Sequence, residues 1–224
     1  MIKRNFHDFL QAFSAAPFLI LLVLILLMLI LPPFLRDWFS TRILLDVFLT
    51  AILFALIYAI KSNHTQMVIG VFLALPLILT TWAAYFIEIT SIGLTTRIFT
   101  ALFFGYAVTN ILRQMSTRKE VTREMIFGAI VAYLLIALMW AFLYMVLEKV
   151  VPGSFSFSQK AIVSETKQFQ YFSFVTITTL GYGDVTPLTD RASTLAMLEA
   201  LVGQIYLVVL VAWLVGMHVS RRSK

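Results

Sequence analysis

Thr176-Ile177-Thr178-Thr179-Leu180-Gly181-Tyr182-Gly183-Asp184-Val185-Thr186-Pro187 is a short run with two glycines, set between two long apolar stretches. A cation crossing hydrocarbon needs fixed oxygens in place of its hydration shell. An extended loop repeated in several copies supplies them as rings of backbone carbonyls. Gly181 and Gly183 suit such a loop, because glycine reaches backbone angles that other residues avoid and successive carbonyls can then be aimed one way. A chance Gly-Tyr-Gly turn is the plain alternative. It leaves unexplained the helical pattern before the run and the long apolar segment after it.

The surrounding chain has 224 residues, of which 61% are hydrophobic and only 12% charged. Its mean hydropathy is +0.94. A soluble domain of this size needs far less apolar content, so the bilayer is the expected solvent. The net charge of +6 is spread over short loops, which argues for membrane orientation rather than nucleic acid. The absence of cysteine excludes disulfides and thiolate metal sites. His7, His64 and His218 are far apart and form no ligand motif. No acid/base cluster or nucleophile motif points to an enzyme. The Leu/Ile run after Lys3 and Arg4 is too long for a signal peptide and is followed by Pro32-Pro33-Phe34, so a retained first helix is expected.

Six spans are expected, at about 17–35, 43–60, 67–87, 92–112, 125–150 and 192–219. An even number places both termini on one side. Lys3, Arg4, Lys61, Arg113, Arg118, Lys119, Arg123, Arg221, Arg222 and Lys224 share that side, which the positive-inside rule makes cytoplasmic. The run at 176–187 then faces outward. Ile2, Phe6, Phe9, Leu10 and Phe13 recur at helical spacing, so residues 1–16 read as a helix in the inner interface. The polar stretch 113–124 reads as a cytoplasmic linker between a four-helix unit, 17–112, and a second unit, 125–219. Residues 220–224 form the expected cytoplasmic tail, too short for a regulatory domain.

The run Thr178-Thr179-Leu180-Gly181-Tyr182-Gly183-Asp184 resembles the selectivity filter of potassium channels with six transmembrane helices and one pore loop, of the prokaryotic type. The resemblance is close over about 165–219 and architectural over 1–124. It implies an all-α membrane protein with a re-entrant pore helix at about 165–177, assembled as a homotetramer, with K+ as the permeant ion and no cofactor. By resemblance, the carbonyls of Thr179, Leu180, Gly181 and Tyr182 form the ion sites, Gly183 completes the filter and the Thr179 hydroxyl closes the innermost site. Leu180 stands where Val is usual. Thr178, Tyr171, Phe172 and Asp184 occupy the filter-supporting positions. Tyr171 can hydrogen-bond Asp184, whereas Phe172 has no donor. Val175 stands where some bacterial relatives have a Glu bonded to the filter Asp. Thr186 lies where an aromatic ring confers tight external tetraethylammonium block, so weak block is expected.

Gly203 follows Gly183 by twenty residues, the spacing of the inner-helix hinge glycine in this family. Close helix packing is the alternative use of such a glycine. Val211, Val215 and Val219 follow it at steps of four and are candidate gate residues. Trp213 stands where similar bacterial sequences have a basic residue, and His218 lies near the expected inner mouth. Helices one to four occupy the voltage-sensor position, yet the fourth holds only Arg97 in its apolar run. Steep voltage gating uses about 3–4 charges per subunit, so weak or no voltage dependence is expected. Asp46 is the expected partner of Arg97, with snorkelling to the interface as the alternative. Two rival functions remain: a potassium uptake transporter subunit, although those carry four degenerate pore repeats, and a non-conducting membrane sensor or scaffold. A separate regulatory subunit is compatible with the chain.

Overall fold

The computed structural model describes residues 16–35, 38, 40–60, 64–86, 90–117, 122–158 and 164–222. The expected interfacial helix at 1–16 lies, but for Ala16, outside them, as do the side chains of His218 and Val219.

Six long helices and one short one make up almost all of the described chain. In order they are α1 (Pro17–Leu35), α2 (Thr41–Ile60), α3 (His64–Ala83), α4 (Thr90–Ser116), α5 (Arg123–Val150), α6 (Glu165–Ile177) and α7 (Asp190–Arg222). Among the described residues α1, α2, α3, α5 and α7 are long and apolar enough to cross a membrane. α4 has 27 residues, ample length for a crossing, but Arg97, Asn110 and several threonines make it less apolar. The protein is a mostly helical, multi-pass membrane protein. Two three-residue strands, β1 (Phe155–Phe157) and β2 (Val185–Pro187), pair antiparallel and add a small sheet that the sequence reading did not foresee.

α5 is the hub, packing against α1, α4, α6 and α7. Its small residues let neighbours approach: the ring of Phe18 lies 3.3 Å from where a Cβ on Gly128 would sit. Thr122 caps the helix, its hydroxyl accepting from the Met125 amide at 3.3 Å. Within the first turn, Glu124 accepts a 3.1 Å bond from the Phe18 amide, so the start of α5 is tied to the free amides at the start of α1. α4 continues to Ser116, into the stretch expected to be linker.

α7 is different. Among its described residues only Ala192, Glu199 and Gly203 are buried, a single stripe at helical spacing. Met197, Ile205, Val208, Val209, Val211 and Val215 stand between 55 and 67% exposed in the single chain.

Candidate functional site

The site is built at the C-terminal end of α6. The helix starts at Glu165, whose carboxylate suits the positive end of the helix dipole. It ends at Ile177, with Thr178 as cap. The last carbonyls of α6 are taken by the amides that follow: Thr179 N–H donates to Thr176 O at 2.9 Å, and Leu180 and Gly181 N–H both donate to Val175 O at 3.0 and 3.3 Å. The Thr178 hydroxyl donates to Phe174 O at 2.6 Å, and the Thr179 hydroxyl to Thr178 O at 2.7 Å. The amides of residues 178–181 therefore point back at the helix, which leaves the carbonyls of this stretch without those partners.

Positive φ values occur at Thr179 (59°), Gly181 (58°) and Gly183 (76°), and not at Leu180 or Tyr182. Such alternation collects successive amides on one side of the chain and carbonyls on the other. Glycine takes positive φ freely; Thr179 holds it at a cost of order 1–3 kcal/mol, an outlier of the kind found at functional sites. Leu180 and Tyr182 are 55 and 66% exposed in the single chain, large side chains with one face open.

The end of the loop at Asp184 is braced. The Tyr171 hydroxyl donates to Asp184 Oδ2 at 2.6 Å, and the Val185 amide donates to Oδ1 at 3.1 Å. The Ser158 amide and hydroxyl both donate to the Asp184 carbonyl at 2.9 Å. The bond to Asp184 pushes the Tyr171 phenol up to about 12. Val175 is buried and apolar and makes no bond to Asp184. Phe172, without a donor, packs instead into an aromatic cluster the sequence reading missed: its ring centroid lies 5.0 Å from Tyr144 and 5.4 Å from Phe155, and Phe155 lies 5.1 Å from Phe169. These rings come from α5, β1 and α6, so their meeting has no signature in sequence spacing.

Two further contacts seat α6. Gly203 of α7 sits so near its end that an added Cβ would lie 2.6 Å from both the Ile177 carbonyl oxygen and its Cγ1. Close approach, the alternative use, thus has direct geometric support. One turn earlier, buried Glu199 accepts from the Tyr144 hydroxyl and also bonds the Ser173 hydroxyl. Glu199 was not singled out in the sequence; a lone acid within an apolar span was the available signal.

The expected Asp46–Arg97 pair is corrected. Arg97 forms a two-pronged bond with Glu165, Nη1 to Oε1 at 3.1 Å and Nη2 to Oε2 at 2.6 Å, and Nη1 also donates to Met145 O at 3.2 Å. Asp46 accepts from the Tyr85 hydroxyl at 2.6 Å, with Arg42 3.9 Å away. The reason is packing. α4 lies against α5, which turns Arg97 toward the start of α6, where a carboxylate matches the guanidinium fork. Asp46 and Glu165 both line a cavity of about 280 Å³ at this junction. Trp213 lines an apolar groove with Leu112, Met115, Ile136 and Val209, a setting that suits an indole and not a cation.

With this geometry in view, residues 125–219 match the family described as Ion channel. This part of the chain is an ion-channel domain. The match agrees with the resemblance to potassium channels drawn from the sequence. It covers α5, α6, the loop 178–184 and α7 as far as Val219. No curated protein and no solved structure matches the chain. α1 to α4 lie outside the matched residues, joined to the channel domain by α1–α5 and α4–α5 packing.

Proposed function

We propose that four copies of this chain form a potassium-selective channel that conducts K+ passively across a cell membrane, with six spans per chain and both termini cytoplasmic. One observation carries the reading: the amides of residues 179–181 bond back to Thr176 O and Val175 O of α6 while φ alternates in sign along 179–183. A row of carbonyls arranged in this way coordinates a dehydrated cation only when other copies complete the ring. Thr179, Leu180, Gly181 and Tyr182 supply the K+ sites. The exposed faces of Leu180, Tyr182 and α7 are then the surfaces that neighbouring subunits cover. The α6 C-terminus supplies the negative end of its dipole near a cation in the central cavity.

Gating by voltage is weak or absent. Arg97 is bonded to Glu165 and to the Met145 carbonyl, so it acts as a strut between α4 and the channel domain. Val211 and Val215 lie on the open side of α7, and with Val219 they form the candidate dewetting gate.

The test is purified protein in liposomes under opposing K+ and Na+ gradients, with barium as blocker. A barium-sensitive current reversing near the K+ potential is expected. A current from a verified tetramer that reverses near zero, or that barium leaves untouched, overturns the potassium reading.

A further inference from the structure

Glu199 is completely buried in α7, at the level of α6, and among the described residues no cation pairs with it. Its neighbours are the Tyr144 hydroxyl on Oε2 and the Ser173 hydroxyl on Oε1. Ser173 Oγ has a second partner, the Ala137 backbone carbonyl at 2.6 Å. Counting protons decides the state of the acid. A serine hydroxyl carries one hydrogen, a phenol one, a carboxylate none and a carbonyl none. An ionised Glu199 would leave two hydrogens for three oxygen–oxygen contacts. The three are all made only if Glu199 carries a proton on Oε1. The chain then runs in one direction: Tyr144 donates to Glu199 Oε2, Glu199 Oε1 donates to Ser173 Oγ, and Ser173 donates to Ala137 O. The neutral acid is also what an apolar setting favours, since an unpaired charge in hydrocarbon is costly.

We infer that Glu199, as a neutral acid, is a positioning residue for the ion pathway: it clasps α6 between α5 and α7 through Ser173. The relay joins all three helices at one point, Tyr144 and Ala137 on α5, Ser173 on α6 and Glu199 on α7. Ser173 lies one turn before Ile177, and Glu199 one turn before Gly203, so clasp and close contact repeat along the same crossing. Tyr133 of α5 adds a 3.2 Å bond to the Ile177 carbonyl at the lower contact. Both contacts bear on the segment that leads directly into Thr178 and Thr179. A change in Glu199 thus shifts the loop without touching an ion.

The inference rests on the proposed potassium pore, and the test separates the two. Infrared spectra of the wild-type tetramer and Glu199→Gln are compared, together with K+ and Na+ flux in liposomes for both and for Glu199→Leu and Ser173→Ala. A protonated-carboxyl carbonyl stretch in the wild type that is missing in Glu199→Gln is expected, whether or not the protein conducts. A glutamine amide accepts from Tyr144 and donates to Ser173, so Glu199→Gln keeps K+-over-Na+ selectivity near the wild-type value. Glu199→Leu and Ser173→Ala lose it by about tenfold, the scale of one broken buried hydrogen bond. An infrared difference showing only ionised carboxylate overturns the inference, as does a loss in Glu199→Gln as large as in Ser173→Ala. A silent wild type that keeps the protonated stretch counts against the pore reading alone.

Discussion

Replacing Arg97 by Gln removes both bonds to Glu165 and the bond to the Met145 carbonyl, and with them the polar link between α4 and the start of α6. An exposed ion pair is worth about 0.2–1 kcal/mol. Breaking a buried one costs about 3–5 kcal/mol. Here the Arg97 side chain is 22% exposed and that of Glu165 44%, so the pair falls between these limits. Its two-pronged geometry lifts it above the exposed limit, and its partial exposure keeps it well below the buried one. We expect a coupling energy of about 1–2 kcal/mol, a factor of roughly 5–30 in the folded-to-unfolded ratio. The assay is a double-mutant cycle of Arg97→Gln, Glu165→Gln and both together, read by reversible unfolding in detergent. A parallel cycle pairs Arg97→Gln with Asp46→Asn, which should be additive within about 0.5 kcal/mol. Exchanging the residues, Arg97→Glu with Glu165→Arg, should recover part of the loss. Additivity in the Arg97–Glu165 cycle, with coupling in the Asp46–Arg97 cycle instead, would refute the assignment and restore the pairing expected from sequence.

Three further outcomes follow from the same geometry. Gly203→Ala places a methyl 2.6 Å from the Ile177 carbonyl, so it should lower the protein's stability by about 1–3 kcal/mol; unchanged or raised melting would mean that hinge flexibility, not close packing, is the reason for the glycine. Tyr171→Phe removes the hydroxyl that holds Asp184 and should speed the decay of current in a sustained recording. Because that bond pushes the phenol up to about 12, the brace is fully present below the ordinary phenol value of about 10 and lost only as pH rises through the higher one; the wild-type–mutant difference should stay flat through neutral pH, and a difference that vanishes there would count against it. Val215→Ala or Val219→Ala should raise open probability in single-channel records, and identical records would remove these residues as a gate.

How much was legible in the chain differs by element. The run 176–187 was readable because its backbone demands are local: glycine at 181 and 183 is needed where φ is positive, whatever packs around it. The short helix over 165–177 and the long apolar helices were readable for a similar reason, since hydrophobic length and a first-turn acid are properties of one segment. Arg97 was legible as a cation within an apolar run needing a partner, but its partner was not. Depth within a span suggested Asp46, whereas the choice depends on which helix α4 packs against most, and that is α5, with Glu165 beyond it. Glu199 and the ring cluster of Tyr144, Phe155, Phe169 and Phe172 went unseen for the same cause.

Sequence by itself determined that the chain lies in a membrane and that one loop has the glycine spacing to row its carbonyls, because hydropathy and backbone freedom are local quantities. Tertiary structure alone decided what holds that loop: which side chain meets Arg97, why Gly203 cannot carry a Cβ, and how one acid ties three helices. Those contacts join residues as far as 68 positions apart, and only the packing of α4, α5, α6 and α7 brings them within hydrogen-bond reach.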